Sequence, residues 1–186
     1  MKPLLRVVCI FGLAAASLLA AQESAPATKP SPLQPLAFLI GDWTGSSDGQ
    51  PGRGTGRRHY EFVLRGKYIQ SSNRIVYPPQ SKNPKGETHD DVGLFSFDGR
   101  RKALVLRQFH VEGFVNEYAG RPSPDGRTLV FESERIENIP DGWRARETYH
   151  LLGKDEFEEV FELAAPGNDY QLYSRSRWKR LRKSKS

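Results

Sequence analysis

The chain has 186 residues, a formal net charge of +6 and a single cysteine, Cys9, which lies in an apolar leader. The body therefore has no disulfide, no thiolate metal site and no cysteine nucleophile. Residues 22–174 hold 19 of the 28 basic residues and all 22 acidic ones, a body of net −3; nucleic-acid binding needs a basic body and is excluded as the expected class.

Taken in chain order, residues 1–21 read as a secretory signal peptide. Lys2 and Arg6 precede an apolar run over 7–20, and Ala20 and Ala21, or Ala25 and Ala27, suit cleavage. The run falls short of the ~20 apolar residues that span a bilayer comfortably. The expected destination is the periplasm or the exterior. Residues 22–32, rich in Ala, Pro and Ser, read as a flexible linker. One domain is expected over 33–181. The basic end, completed by a tail over 182–186, offers weak contact with an anionic membrane surface at ~1 kcal/mol per basic residue; as a solvated terminus it needs no partner.

Within the domain only 33–40 reads as a short helix. Turn signals such as Asp98-Gly99, Asp125-Gly126 and Asp141-Gly142 divide the rest. Between them apolar and polar residues alternate: Tyr60, Phe62 and Leu64 against His59, Glu61 and Arg65; Phe157, Phe161 and Leu163 against Glu156, Glu158 and Glu162. This alternation marks half-buried antiparallel strands. It predicts strands over 42–47, 57–66, 67–77, 90–97, 101–112, 113–120, 127–137, 142–152, 156–165 and 170–181. The glycine-rich stretch 49–58 opens no helix, so it is no phosphate-binding loop. It and residues 78–89 are expected to be loops over a barrel mouth. A long meander with one apolar face closes into a barrel, which removes its edges. The expected fold is all-β: a single up-and-down antiparallel β-barrel of about ten strands with a short N-terminal helix. A barrel of this size can hold one small ligand.

The interior is expected to be lined by Tyr60, Phe62, Phe131 and Trp143, with Tyr149, Phe161 and Trp178 on later strands. Glu147 and Glu159 interrupt these apolar faces. A buried carboxylate is costly unless paired or wetted, so the two either line a wet cavity or meet a basic partner such as Arg107. His110 shares a strand face with Leu104, Leu106, Gln108 and Glu112 and is the one candidate among the histidines for a cavity-facing ligand contact, a surface or rim position being the alternative. Two H-x-E pairs, His59 with Glu61 and His110 with Glu112, have donor types suited to a metal. His59 and Glu61 belong to the water-facing side, so no metal site is assigned. There is no G-x-S-x-G and no serine in a triad context, and no catalytic residue is assigned.

The stretch "PLAFLIGDWTG", with Gly41-x-Trp43-x-Gly45, resembles the opening of the nitrobindin-like heme-binding barrels, a calycin-like group akin to lipocalins and fatty-acid-binding proteins. "EFVLRGKYI" and "GLFSFDGRRKALVL" resemble related uncharacterised bacterial barrels. In such a barrel Trp43 would plug the closed end, its flanking glycines letting backbones approach. The resemblance also implies heme, held by a histidine on the last strand in the pattern H-L-x-x-x-[apolar]-x-[basic]. Tyr173 stands at that position here, and tyrosine ligates heme iron only as an inward-facing phenolate. Pairing the last two strands sets Phe157 against Trp178 and Leu163 against Leu172 inside, with Glu158 against Arg177 and Glu156 against Lys179 outside. Tyr173 then points outward, and no heme cofactor is expected. The expected function is that of an exported barrel binding a small apolar or amphipathic molecule. The alternatives are a heme-binding nitrobindin-like protein and a cavity enzyme using His110 with a carboxylate.

Overall fold

The computed structural model describes residues 30–182; the expected signal peptide, most of the linker and residues 183–186 lie outside the described residues. A 3-10 helix, Gln34–Leu39, leads into ten strands: β1 Gly41–Gly49, β2 Gly52–Val63, β3 Tyr68–Tyr77, β4 Glu87–Asp98, β5 Ala103–His110, β6 Val115–Pro122, β7 Thr128–Glu137, β8 Arg144–Gly153, β9 Glu156–Ala164 and β10 Gln171–Arg180. Each strand pairs antiparallel with its sequence neighbours, and β1 closes on β10. The all-β up-and-down barrel read from the alternation is the fold observed. One end, beside the helix, is closed. The other, reached by the turns after β1, β3, β5, β7 and β9, is the mouth.

The closed end is built around Trp43. Its indole donates to the Leu39 carbonyl at 2.6 Å, its ring meets Phe157 edge-on at 4.7 Å, and the Arg180 guanidinium lies 4.2 Å above it. Arg180 also donates to the carbonyls of Ile40 and Phe38, so the last strand holds the entering helix in place. Leu36 and Leu39 of that helix are fully buried. The paired glycines around Trp43 have separate tasks. Gly41 has φ +120, a region that side chains rarely tolerate. Gly45 faces Trp178 across the β1–β10 pair, and a Cβ there would sit 2.6 Å from the Trp178 ring.

The stretch 49–58 is not a loop. β1 and β2 pair continuously from Gly41 opposite Tyr60 to Gly49 opposite Gly52. The alternation is present, but its inward members are Gly52, Gly54 and Gly56. Their neighbours supply the bulk: a Cβ at Gly54 would lie 2.6 Å from the Tyr77 ring, and one at Gly56 2.9 Å from the Ile75 side chain. Residues 87–89, expected in the second mouth loop, begin β4.

The last strand follows the expected register over half its length. Phe157 faces Trp178, Glu158 faces Arg177 and Glu156 faces Lys179. Between Leu172 and Ser174 a bulge shifts it by one residue. Gln171, not Leu172, faces Leu163. Leu172 lies on the outer side opposite Glu162 and is exposed. Tyr173, expected to point outward, packs its ring against that of the inward-facing Phe161 at 5.5 Å. A slip of the whole strand would expose Trp178; a bulge turns Tyr173 without that cost.

Gly45→Ala tests the tight approach of β1 to Trp178. Overpacking of this kind is expected to lower stability by ~1–3 kcal/mol, read as a fall in the urea midpoint with an unchanged slope.

Candidate functional site

Two apolar regions flank a polar layer in the middle of the barrel. Below it, towards the closed end, Tyr60, Phe131, Tyr149 and Trp178 are buried and pack with Phe95 and Phe157 in aromatic contacts, Phe131 to Tyr149 at 5.9 Å and Phe157 to Trp178 at 6.4 Å. Two residues expected to line the interior do not. Phe62, at the closed-end tip of β2, is 45% exposed, and Trp143, in the connection before β8, is 37% exposed. Both follow the alternation, but the strands end before their side chains are covered.

The polar layer is centred on Arg58, which the period of two places on the Tyr60 face. Arg58 Nη1 donates to Glu159 Oε1 at 2.6 Å and to the Tyr60 hydroxyl at 3.0 Å, and its Nε donates to Asn73 Oδ1 at 3.0 Å. The guanidinium stacks 4.5 Å from the Trp178 ring, whose indole donates to the second Glu159 oxygen at 3.1 Å. Both members of the ion pair are over nine-tenths buried. The basic partner that Glu159 needs is therefore Arg58. Arg107 instead pairs outside the barrel with Glu117 at 2.8 Å. Burial opposes the charge on Arg58, but Glu159 and neighbouring groups hold its pKa well above the ordinary value.

Glu147 has no cation of its own. It accepts the Tyr149 hydroxyl at 2.7 Å. Burial, and then repulsion from Glu159, push its pKa up to about 8, so the carboxyl is protonated at neutral pH.

The layer continues towards the mouth. Asn73 donates to the buried Asp91 at 2.6 Å, and Asp91 lies 3.5 Å from His89 Nε2. His89 Nδ1 meets Glu112 Oε1 at 2.8 Å, and His89 Nε2 meets His110 Nδ1 at 3.4 Å. His110 stacks on Phe114 at 4.3 Å and touches the Asn116 amide at 3.3 Å. Burial alone would lower the pKa of His89, but its bonds to Asp91 and Glu112 hold it up to about 9. Burial lowers His110 to about 4. At neutral pH the first is imidazolium and the second imidazole. His110 thus stands half-buried on the inner face at the mouth end of β5. His59 faces outward, bonded to Asp42 at 2.7 Å; the two H-x-E pairs are not brought together, and His89 takes the place of the first.

Beside this cluster two buried acceptors, Gln108 Oε1 and Asn116 Oδ1, have no hydrogen-bond partner among the described residues. Their residues face each other across β5 and β6, one inward step below His110. Above them Ile136, Phe161 and Leu163 are only partly buried and, with Tyr173, form apolar walls at the mouth. A groove of about 840 Å³ runs along β2–β5, lined by Arg57, Arg74, Asp90, Val92 and Phe109 and also by Arg58, Asn73, Asp91 and His110 of the polar layer.

A closed ten-strand meander, plugged by a tryptophan at one end and polar at its waist, defines a small calycin-like barrel. The sequence matches the THAP4-like, heme-binding β-barrel domain over residues 32–180. The chain belongs to that family, as the opening motif implied. Among solved structures it is similar to Rv2717c from M. tuberculosis, with a TM-score of 0.62 at 19% identity, covering 81% of this chain and 98% of that one. A de novo designed fluorescence-activating β-barrel matches with a TM-score of 0.42 at 10% identity, covering 78% of this chain and 95% of that one. No curated protein matches.

Tyr173, at the position implied for the iron ligand, faces inward, so the outward orientation that sets heme aside does not hold. Burial and the carboxylates of Glu87 and Glu112 push its pKa up, which opposes the phenolate that an iron-ligating tyrosine must become.

Two outcomes test the polar layer. Arg58→Met leaves Glu159 buried without its cation and is expected to cost ~3–5 kcal/mol, with much of the loss recovered in the Arg58→Met/Glu159→Leu double variant; denaturant unfolding of the three proteins measures this. For Glu147 the folded pKa of about 8 exceeds the ordinary value of 4.5. Between these values the unfolded chain loses a proton that the folded one keeps, so stability falls as pH rises through the window. Glu147→Gln is expected to remove this slope and to be more stable than the parent at the alkaline end, as read from unfolding free energies at several pH values.

Proposed function

We propose that the chain is a binding protein for a small amphipathic molecule, held at the mouth of the barrel and not among the sealed aromatic rings. One observation carries this reading: the unpartnered Gln108 and Asn116 acceptors, both more than nine-tenths buried. A buried polar atom without a partner costs free energy, and a ligand bearing N–H or O–H groups would supply the missing donors. Ile136, Phe161, Leu163 and Tyr173 would hold its apolar part. Apolar walls with a few convergent polar atoms are the usual makeup of a small-ligand site. The sealed residues Tyr60, Phe131, Glu147, Tyr149, Glu159 and Trp178 would then form the floor that keeps the mouth in shape. We further propose that the protein acts after export, once residues 1–21 are removed.

Titration with an environment-sensitive amphiphilic dye, anilinonaphthalene sulfonate, tests the site. Saturable one-site binding is expected. Leu163→Arg is expected to weaken it by about tenfold or more, the equivalent of losing a contact worth ~1.5 kcal/mol or more. An affinity unchanged in Leu163→Arg would overturn the reading. Hemin is the second probe: a Soret band abolished by Tyr173→Phe would replace this reading with heme ligation through that phenol.

A further inference from the structure

Three side chains at the rim come from separate positions and converge. His89 lies on the inner face of β4, His110 ends β5, and Glu112 stands in the turn beyond it. One ligand atom from each falls within 4.8 Å of the others. Hydrogen bonding alone would explain a histidine and a carboxylate tying down a turn. It also accounts for the imidazole of His110 meeting His89, but not for the support behind them.

That support is ordered. Asp91 lies 3.5 Å from His89 Nε2, the nitrogen that also meets His110 and the one opposite the Glu112 contact. Asn73 fixes Asp91 at 2.6 Å, and Arg58 fixes Asn73 at 3.0 Å. A carboxylate behind a histidine, itself held by hydrogen bonds, is the outer arrangement that orients metal-ligating imidazoles. Phe114 fixes the plane of His110 by stacking at 4.3 Å. The Asn116 amide touches His110 Nε2 at 3.3 Å and holds the ring from its other side.

We propose that His89, His110 and Glu112 form a binding site for a divalent transition-metal ion of the zinc type. With one proton released from the His89 imidazolium as the ion binds, two imidazoles and one carboxylate are a borderline N/O donor set, which suits such ions and not calcium or magnesium. Three protein ligands leave at least one coordination position for water or a small anion, facing the mouth. The site does not rest on the amphipathic-ligand reading and can fail or hold without it.

Calorimetric titration of the purified protein with zinc alone tests it. One saturable site with micromolar or tighter affinity is expected. Glu112→Gln, in an exposed turn where folding is not at stake, is expected to weaken binding by at least ~10-fold, since even outer-shell losses cost that much. His110→Asn should do the same, and His59→Asn, on the outer face, should change nothing. Cobalt(II) should give the visible absorption of a low-coordinate nitrogen–oxygen site, and His89→Asn should abolish it. Zinc binding weaker than millimolar, or an affinity indifferent to Glu112→Gln and His110→Asn, would overturn the proposal. Dye titration of the Glu112→Gln protein separates the two sites: dye binding kept while zinc binding is lost means that the mouth ligand needs no metal, and loss of both joins the metal to the ligand site.

Discussion

The ion pair between Arg58 and Glu159 sets the conditions for everything else in the interior. Both groups are withdrawn from water in the middle of the barrel, where an uncompensated charge would be intolerable. Arg58 uses its Nε and Nη1 donors on Asn73, Glu159 and Tyr60, and the second oxygen of Glu159 takes the Trp178 indole. From this knot Asn73, Asp91 and His89 extend in hydrogen-bonding order towards the rim. The placement of the rim histidines is thus tied to a charge pair deep inside, and the closed end is tied to it through Trp178.

This arrangement divides the barrel by function. Aromatic rings fill the half beside the helix and leave that half as scaffold. The other half has incompletely covered apolar residues, unpaired acceptors and titratable side chains. The chain belongs to a family named for heme binding. The chemistry at position 173 differs from what the family resemblance implies, and the neighbouring Glu87 and Glu112 reinforce the difference by disfavouring negative charge on the phenol.

The ring order, the closure, the capping helix and the pairing of Phe157 with Trp178 were legible in the sequence, because period-two alternation and short turns determine them locally. The inward glycines of β2 were not, since a residue without a side chain leaves no mark on an apolar pattern. The bulge at Tyr173 was hidden for a related reason: it adds one residue to a strand whose charge pairs read correctly on one side of it. Arg58 was available, because counting back by two from Tyr60 reaches it. A charged residue on an apolar face reads as an exception until its partner, 101 residues away, is known. His89 lay in a stretch expected to be a loop, with only Thr88 and Asp90 beside it to suggest a strand. Tertiary pairing, invisible to local pattern, decided each of these.

The contacts of Arg180 with the carbonyls of Phe38 and Ile40 have a temporal side. They join residues 142 and 140 positions apart, and β10 is also the strand that completes the ring with β1. A chain made from its N-terminus onward can form every hairpin as it lengthens, but it holds two bare edges until the last strand arrives. Contacts this distant are slow to form. Until β10 docks the sheet is an open ribbon, and that strand alone turns it into a closed ring.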